Sequence, residues 1–377
     1  MKKAHSGLLL DKEISWLYFN QRLLQEAGDP ATPLIERMRF LGIYANNLDE
    51  FFRVRVASVR RIAQYGGDVS PYFIERPKRL LARINRIVQE QQAEFDVLYT
   101  GILRELAESG IRLIDESRIS PAQAEFLDRF YLQQLEPLIA PVVVTRKKTF
   151  PELADSSIYL LVVLHRETGD PDFALIELPV PALPRFIELP APSGESHVIF
   201  LDDIIRHFLP RIFASLPYVR FDAYSIKVTR DADIEHDLDG NLVEKIARAV
   251  RARRKGKPVR LSYDRSIPPE LIRAFQRQQK QRGTYAHSAQ LNSGRHDNLR
   301  DLMGFPSPGG KNLTFPAWPP VRLAAERPLE SAEACRAAGP PRRRPQPAAL
   351  RRAKGRFSPL PLPKFFPLHP AAQRGRD

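Results

Sequence analysis

The chain has 377 residues, 43% of them hydrophobic and 27% charged, the ordinary balance of a soluble globular protein with room for two or three domains. Its single cysteine, Cys335, excludes an internal disulfide and makes a reducing cytoplasm the default compartment. The net charge of +14 is unevenly placed: residues 324–377 hold twelve Lys and Arg against four Asp and Glu, so the body is only mildly basic and a nucleic-acid partner is not implied.

At the start, two lysines precede a three-leucine run that ends at Asp11, too short for a signal peptide. The strongest apolar stretch, 158–164, has the length of a buried strand and not of a membrane span. No transmembrane segment is expected; the location is read as cytoplasmic, with a peripheral membrane association left open.

The first hundred residues read as helices. Trp16, Phe19, Leu23 and Leu24 fall near helical spacing between Ser15 and Leu24. Thr32 and Pro33 predict a helix start, Thr as cap and Pro at the first position, with Leu34, Ile35, Met38 and Leu41 on its core face. Asn46 and Asn47 predict an interruption, after which Leu48 to Ile62 resumes. A long helix from Pro77 to Ser109 stops at Gly110. Together these read as an antiparallel helical bundle over 8–110.

From residue 111 the pattern changes. Strand-like runs at 158–164, 173–178, 185–189 and 197–201 are separated by Pro and Gly. A helix capped by Asp202 follows, then a strand over 224–228, a helix from Leu242 to Arg253, a strand over 259–263 and a helix from Pro268 to about Lys280. Strands mixed with helices, without strict alternation, predict an α+β protein with a mixed α/β head over 111–323. Ten prolines and ten arginines fall in 324–377 without helical or strand period, and this tail is expected to be disordered.

Several segments carry a resemblance: 13–27 (EISWLYFNQRLLQEA), 33–52 (PLIERMRFLGIYANNLDEFF), 224–231 (YSIKVTRD) and the region 294–320. In order and in kind they are similar to the polyphosphate kinase family. The resemblance implies a helical N-terminal domain, a mixed head domain and then two phospholipase-D-like domains. It also implies ATP and polyphosphate as substrates, Mg²⁺ as cofactor and a homo-oligomer for the intact enzyme. Family enzymes place the phosphate-accepting histidine in the last two domains, where a nucleophilic imidazole needs magnesium and cations around the phosphoryl group.

None of the eight histidines here is followed two places on by lysine, so the His-x-Lys signature is absent. No catalytic residue is therefore assigned, and the polypeptide is expected to be inactive alone, with a non-catalytic module binding a full-length partner as the alternative. One back-translation of 362–376, read one nucleotide later, resembles the family's continuation, so the tail is read as a candidate product of a frame slip near residue 323. Gly294-Arg295-His296-Asp297-Asn298 departs from the family's Gly-Arg-Tyr-His-Asn, which predicts altered packing there.

By the resemblance, Asn47 contacts ATP, since an amide both donates and accepts. Read from the residues alone, Asn46-Asn47 caps the helix beginning at Leu48. Arg53, Arg55, Arg60 and Arg61 present either a polyphosphate-steering row or a solvated helix face. The cluster Arg251, Arg253, Arg254, Lys255 and Lys257 reads first as helix-dipole complementation. Gly304 and Gly309-Gly310-Lys311 do not satisfy a phosphate-loop pattern. Asp231, Asp233 and Glu235 read as a turn-flanking acidic run, no metal site is assigned, and His197 and His207 read as surface or packed histidines.

Overall fold

The computed structural model describes residues 10–65, 73–144, 151–180, 182–232, 258–281, 289–296, 299–308 and 312–316. The helix expected at 242–253, the basic cluster at 251–257, Asp233, Glu235, Gly309 to Lys311 and the tail lie outside the described residues.

The helical layer contains Lys12–Gly28 (α1), Leu34–Glu50 (α2), Ala57–Tyr65 (α3) and Pro77–Glu108 (α4). Ile14, Leu17, Leu24 and Ala27 recur at helical spacing on α1 and are fully buried against α2 and α4. Trp16 stacks on Phe51 with ring centroids 4.4 Å apart. Arg37 joins three helices, donating to the Ala27 carbonyl at 2.8 Å and to Glu105 at 2.6 and 3.1 Å.

Two expectations about α2 need correction. The cap position is Pro33 and Leu34 is the first helical residue; Thr32 supplies no cap bond. The chain also does not break at Asn46-Asn47. It continues to Glu50, loosens into π-helical turns over Phe51–Val56, and resumes as α3. Leu48, Phe51, Phe52 and Val56 are all buried there, and that packing outweighs the modest helix propensity of asparagine, a difference of about 0.7 kcal/mol per residue at most. The long helix α4 does stop where glycine permits: Gly110 adopts φ +81°, and a Cβ there would meet the Gly194 carbonyl at 3.1 Å.

Nine strands follow among the described residues: Ile111–Ile114 (β1), Val142–Val144 (β2), Ile158–His165 (β3), Asp172–Glu177 (β4), Phe186–Leu189 (β5), Ser196–Phe200 (β6), Arg220–Arg230 (β7), Pro258–Asp264 (β8) and Ala289–Ser293 (β9). Pro121–Phe130 (α5), Leu201–Ile212 (α6) and Pro269–Gln281 (α7) lie between them. A three-stranded sheet has the order β1-β6-β5, and a six-stranded sheet has the order β2-β4-β3-β7-β8-β9. The first pairs β1 with β6 in parallel; the second is antiparallel except for β8 with β9. The class is α+β.

Strand β3 shows why its sequence is a continuous apolar run. Ile158, Leu160, Val162 and Leu164 enter one core with α5 and α6, while Tyr159, Leu161 and Val163 enter another with α7. Strand β7 behaves differently. Ile226 and Val228 face the second core, while Ser225, Lys227 and Thr229 form a buried polar face. At the start of α6 the expected cap is again corrected: Phe200 holds the cap position, and Asp202 is buried beneath Arg185.

The helical core is closed by a distant segment. The 3₁₀ turn Leu299–Gly304 lies against α2, burying Leu302 with Phe305, and the Ile35 N–H donates to the Leu313 carbonyl at 2.9 Å. Gly42 makes this possible, because a Cβ there would stand 2.4 Å from the Met303 nitrogen. No helix among the described residues is long and apolar enough to cross a membrane.

Candidate functional site

Asn47 sits inside α2, half-buried, so it caps no helix. Its Nδ2 donates to Asn20 Oδ1 at 3.1 Å, and Asn20 Nδ2 donates to the Tyr44 carbonyl at 3.3 Å. Asn20 is 1% exposed. The carbonyl acceptor fixes which way the Asn20 amide points, and Asn20 in turn fixes Asn47. Asn47 Oδ1 has no hydrogen-bond partner among the described residues. A further layer holds this arrangement: Tyr44 donates its hydroxyl to Gln91 at 3.1 Å, and Gln91 donates to the Leu17 carbonyl at 3.1 Å.

Two residues on, about 200° around the helix, Asp49 faces β7 and β8. Lys227 and Arg260 both bond its carboxylate, from 178 and 211 residues away. All three are at least 95% buried. Burial alone would raise the Asp49 carboxyl, but Lys227 and Arg260 outweigh it and hold the group below the ordinary carboxylate range. Arg260 also lies over the Phe52 ring, 4.8 Å from its centroid. Arg260 Nε and Nη1 and Thr229 Oγ1 are buried there without a hydrogen-bond partner among the described residues.

The arginine row divides. Arg53 bonds the Ser156 hydroxyl and lies 3.4 Å from Asp155; Ser156 is held at φ +62° to meet it. Arg61 pairs with Asp231 and with Ser58 at 3.0 Å. Asp231 is thus a structural partner. Arg55 is exposed. Arg60 is half-buried without a partner among the described residues, and burial pushes its pKa down to about 10.

A second charged cluster surrounds the start of α6. Arg185 grips Asp202 at 3.0 and 2.9 Å and reaches Asp301 at 3.0 Å. His296 Nε2 lies 2.8 Å from Asp203, and its ring stacks on Phe200 at 3.9 Å. Position 296 is therefore occupied by an imidazole anchored to a buried carboxylate. Burial raises the Asp203 carboxyl, and His296, Arg206 and Arg295 together bring it well below the usual value. His197 bonds Gln123 and Glu195, both at 2.8 Å, and His207 packs edge-on against Phe208. Among the described residues no three His, Cys, Asp or Glu side chains gather to hold a metal ion.

Sequence reasoning missed Asn20, Asp49, Lys227 and Arg260. The one available signal was the polar alternation of Ser225, Lys227 and Thr229 within a strand whose other face is apolar; the partners across the fold are not encoded locally.

Residues 9–114 match the family model for the polyphosphate kinase N-terminal domain, and residues 122–305 match that for the polyphosphate kinase middle domain. The polyphosphate kinase of Yersinia pestis is 37% identical over 321 residues, covering 84% of this chain and 46% of that protein. The polyphosphate kinase of Escherichia coli strain K12 is 38% identical over 326 residues with the same coverage. The crystal structure of polyphosphate kinase from Porphyromonas gingivalis superposes with a TM-score of 0.65 at 31% identity, covering 82% of this chain and 42% of that one. The chain spans somewhat less than half the length of these relatives. With two domain matches in order across most of its described residues, the chain belongs to the polyphosphate kinase family.

Proposed function

We propose that this chain supplies the ATP-contacting front part of an ATP–polyphosphate phosphotransferase, which moves the γ-phosphate of ATP reversibly onto polyphosphate with Mg²⁺. Residues 8–110 form its helical N-terminal domain and 111–323 its head domain, working in the cytoplasm as a homo-oligomer of the intact enzyme. The observation that carries the ATP contact is the pre-oriented Asn47 amide. With its Nδ2 engaged by Asn20, its Oδ1 is left to accept from an amino or hydroxyl group of a nucleotide.

Transfer itself is not assigned to these residues. Phosphoryl transfer through histidine requires an imidazole among cations and magnesium. The histidines here whose surroundings are described are bonded to Asp222, Glu195 or Asp203 or packed on Phe208. Among the described residues no three His, Cys, Asp or Glu side chains gather into a site for magnesium. Incubating the purified chain with γ-labelled ATP tests this: neither polyphosphate nor phosphohistidine is expected, and sustained turnover by the polypeptide alone would overturn the reading.

A further inference from the structure

A cavity of about 450 Å³ opens where the C-terminal half of α4, strand β1 and the segment after β9 meet, and Asn47 is not part of its lining. Its floor is apolar: Leu103 and Ala107 from α4 with Leu113 and Ile114 from β1. Its rim carries four guanidinium groups, Arg104, Arg112, Arg118 and Arg295, brought together from α4, β1, the turn after β1 and the segment after β9. Side chains converging from separate segments differ from a solvated charge row along one helix.

The lining also holds two carboxylates, and both are engaged by the protein. Asp115 accepts from Ser117 and Arg118, and Asp203 from Arg206, Arg295 and His296. Arg112 pairs with Glu195 at 3.3 Å with about half of its side chain exposed. Arg104 is exposed and has no partner among the described residues. Arg118 pairs with Asp115 and Arg295 with Glu116 and Asp203, so among the described residues Arg104 is the rim guanidinium left without a carboxylate. Tyr99 is also in the lining, and its hydroxyl is buried without a hydrogen-bond partner among the described residues. Burial raises its pKa further, so it remains a proton donor at neutral pH.

From this combination we infer that the cavity binds an organic phosphate of nucleotide size, its phosphate on the Arg104 side of the rim and its apolar body on the floor, with Tyr99 donating a hydrogen bond. Guanidinium forks match phosphate oxygens in pairs, and the volume lies in the range of small-molecule sites. Inorganic phosphate would leave the apolar floor uncovered.

AMP is the suitable probe, because it has no γ-phosphate to transfer. In calorimetric titration of the full chain, saturable binding is expected, weakened at least about tenfold by Arg104→Glu and severalfold by Tyr99→Phe. Arg104 is exposed and Tyr99→Phe is isosteric, so unchanged melting temperatures certify that both variants fold. AMP also carries the amino and hydroxyl groups that Asn47 is proposed to accept from, so the separating observation is that AMP binding sensitive to Arg104→Glu persists in the Asn47→Ala background. No saturation up to about 10 mM would overturn the inference. So would inorganic tripolyphosphate binding as tightly as AMP with no effect of Tyr99→Phe, or loss of AMP binding in Asn47→Ala but not in Arg104→Glu.

Discussion

The Asp49 cluster and the arginine-rimmed cavity are built from the same kinds of side chain and behave in opposite ways. At Asp49, carboxylate, ammonium and guanidinium are sealed between α2 and the β7–β8 face, at least 95% buried. At the cavity, Arg104, Arg112 and Arg118 are exposed and reach toward a space. Charges in the first region fix how the helical layer meets the sheet; in the second, Arg112, Arg118 and Arg295 have carboxylate partners and Arg104 has none among the described residues. Composition does not separate the two roles, since what decides is burial and whether a counter-charge reaches each group.

The contrast is broken most directly at Asp49. Asp49→Ala removes the buried carboxylate that Lys227 and Arg260 share and should cost about 3–5 kcal/mol, read from urea unfolding. Gly42→Ala comes next. Its Cβ would stand 2.4 Å from the Met303 backbone, forcing the 3₁₀ turn off α2 at a cost of about 1–3 kcal/mol.

Acid provides a graded test. Burial raises the Asp49, Asp202 and Asp203 carboxyls, and the cations beside them outweigh it, so all three stay charged in the fold below the ordinary value. An unfolded aspartate titrates near about 3.9, so the folded chain binds fewer protons there than the unfolded one. Their stabilisation is complete above about pH 5 and is lost as pH falls past the unfolded value toward the depressed ones. Asp203→Asn should flatten this part of the profile, and a profile unchanged from wild type would contradict the assignment. The smallest effect belongs to the rim: Arg104→Ala should change stability by no more than about 0.5 kcal/mol, and a larger loss would mean that Arg104 has a structural role.

Local pattern made much of the fold legible. Pro77 and Gly110 bracket α4 because each acts through its own backbone, and the run at 158–164 announced a buried strand, which the fold covers on both faces. Where a distant partner decides, the reading failed. Asn46-Asn47 looked like a break, but the apolar residues after it pack into the helical core. Asp202 looked like a cap, but Arg185 claims it from 17 residues away. Strands β1 and β2 went unread as well, because with four and three residues neither shows a period. Of the candidate site, Asn47 was legible through the family resemblance alone. Asn20, which orients it, became visible only once α1 and α2 were placed side by side.

The pre-oriented amide of Asn47 is the feature on which the ATP reading rests, and calorimetric titration of ATP into the wild-type chain and into Asn47→Ala addresses it most directly. Losing one side-chain hydrogen bond should lower stability by only about 1 kcal/mol, so the variant remains folded. Saturable ATP binding by wild type, weakened about tenfold or more in the variant, is the expected result. Equal affinity in the two proteins, or no binding by wild type, would contradict it.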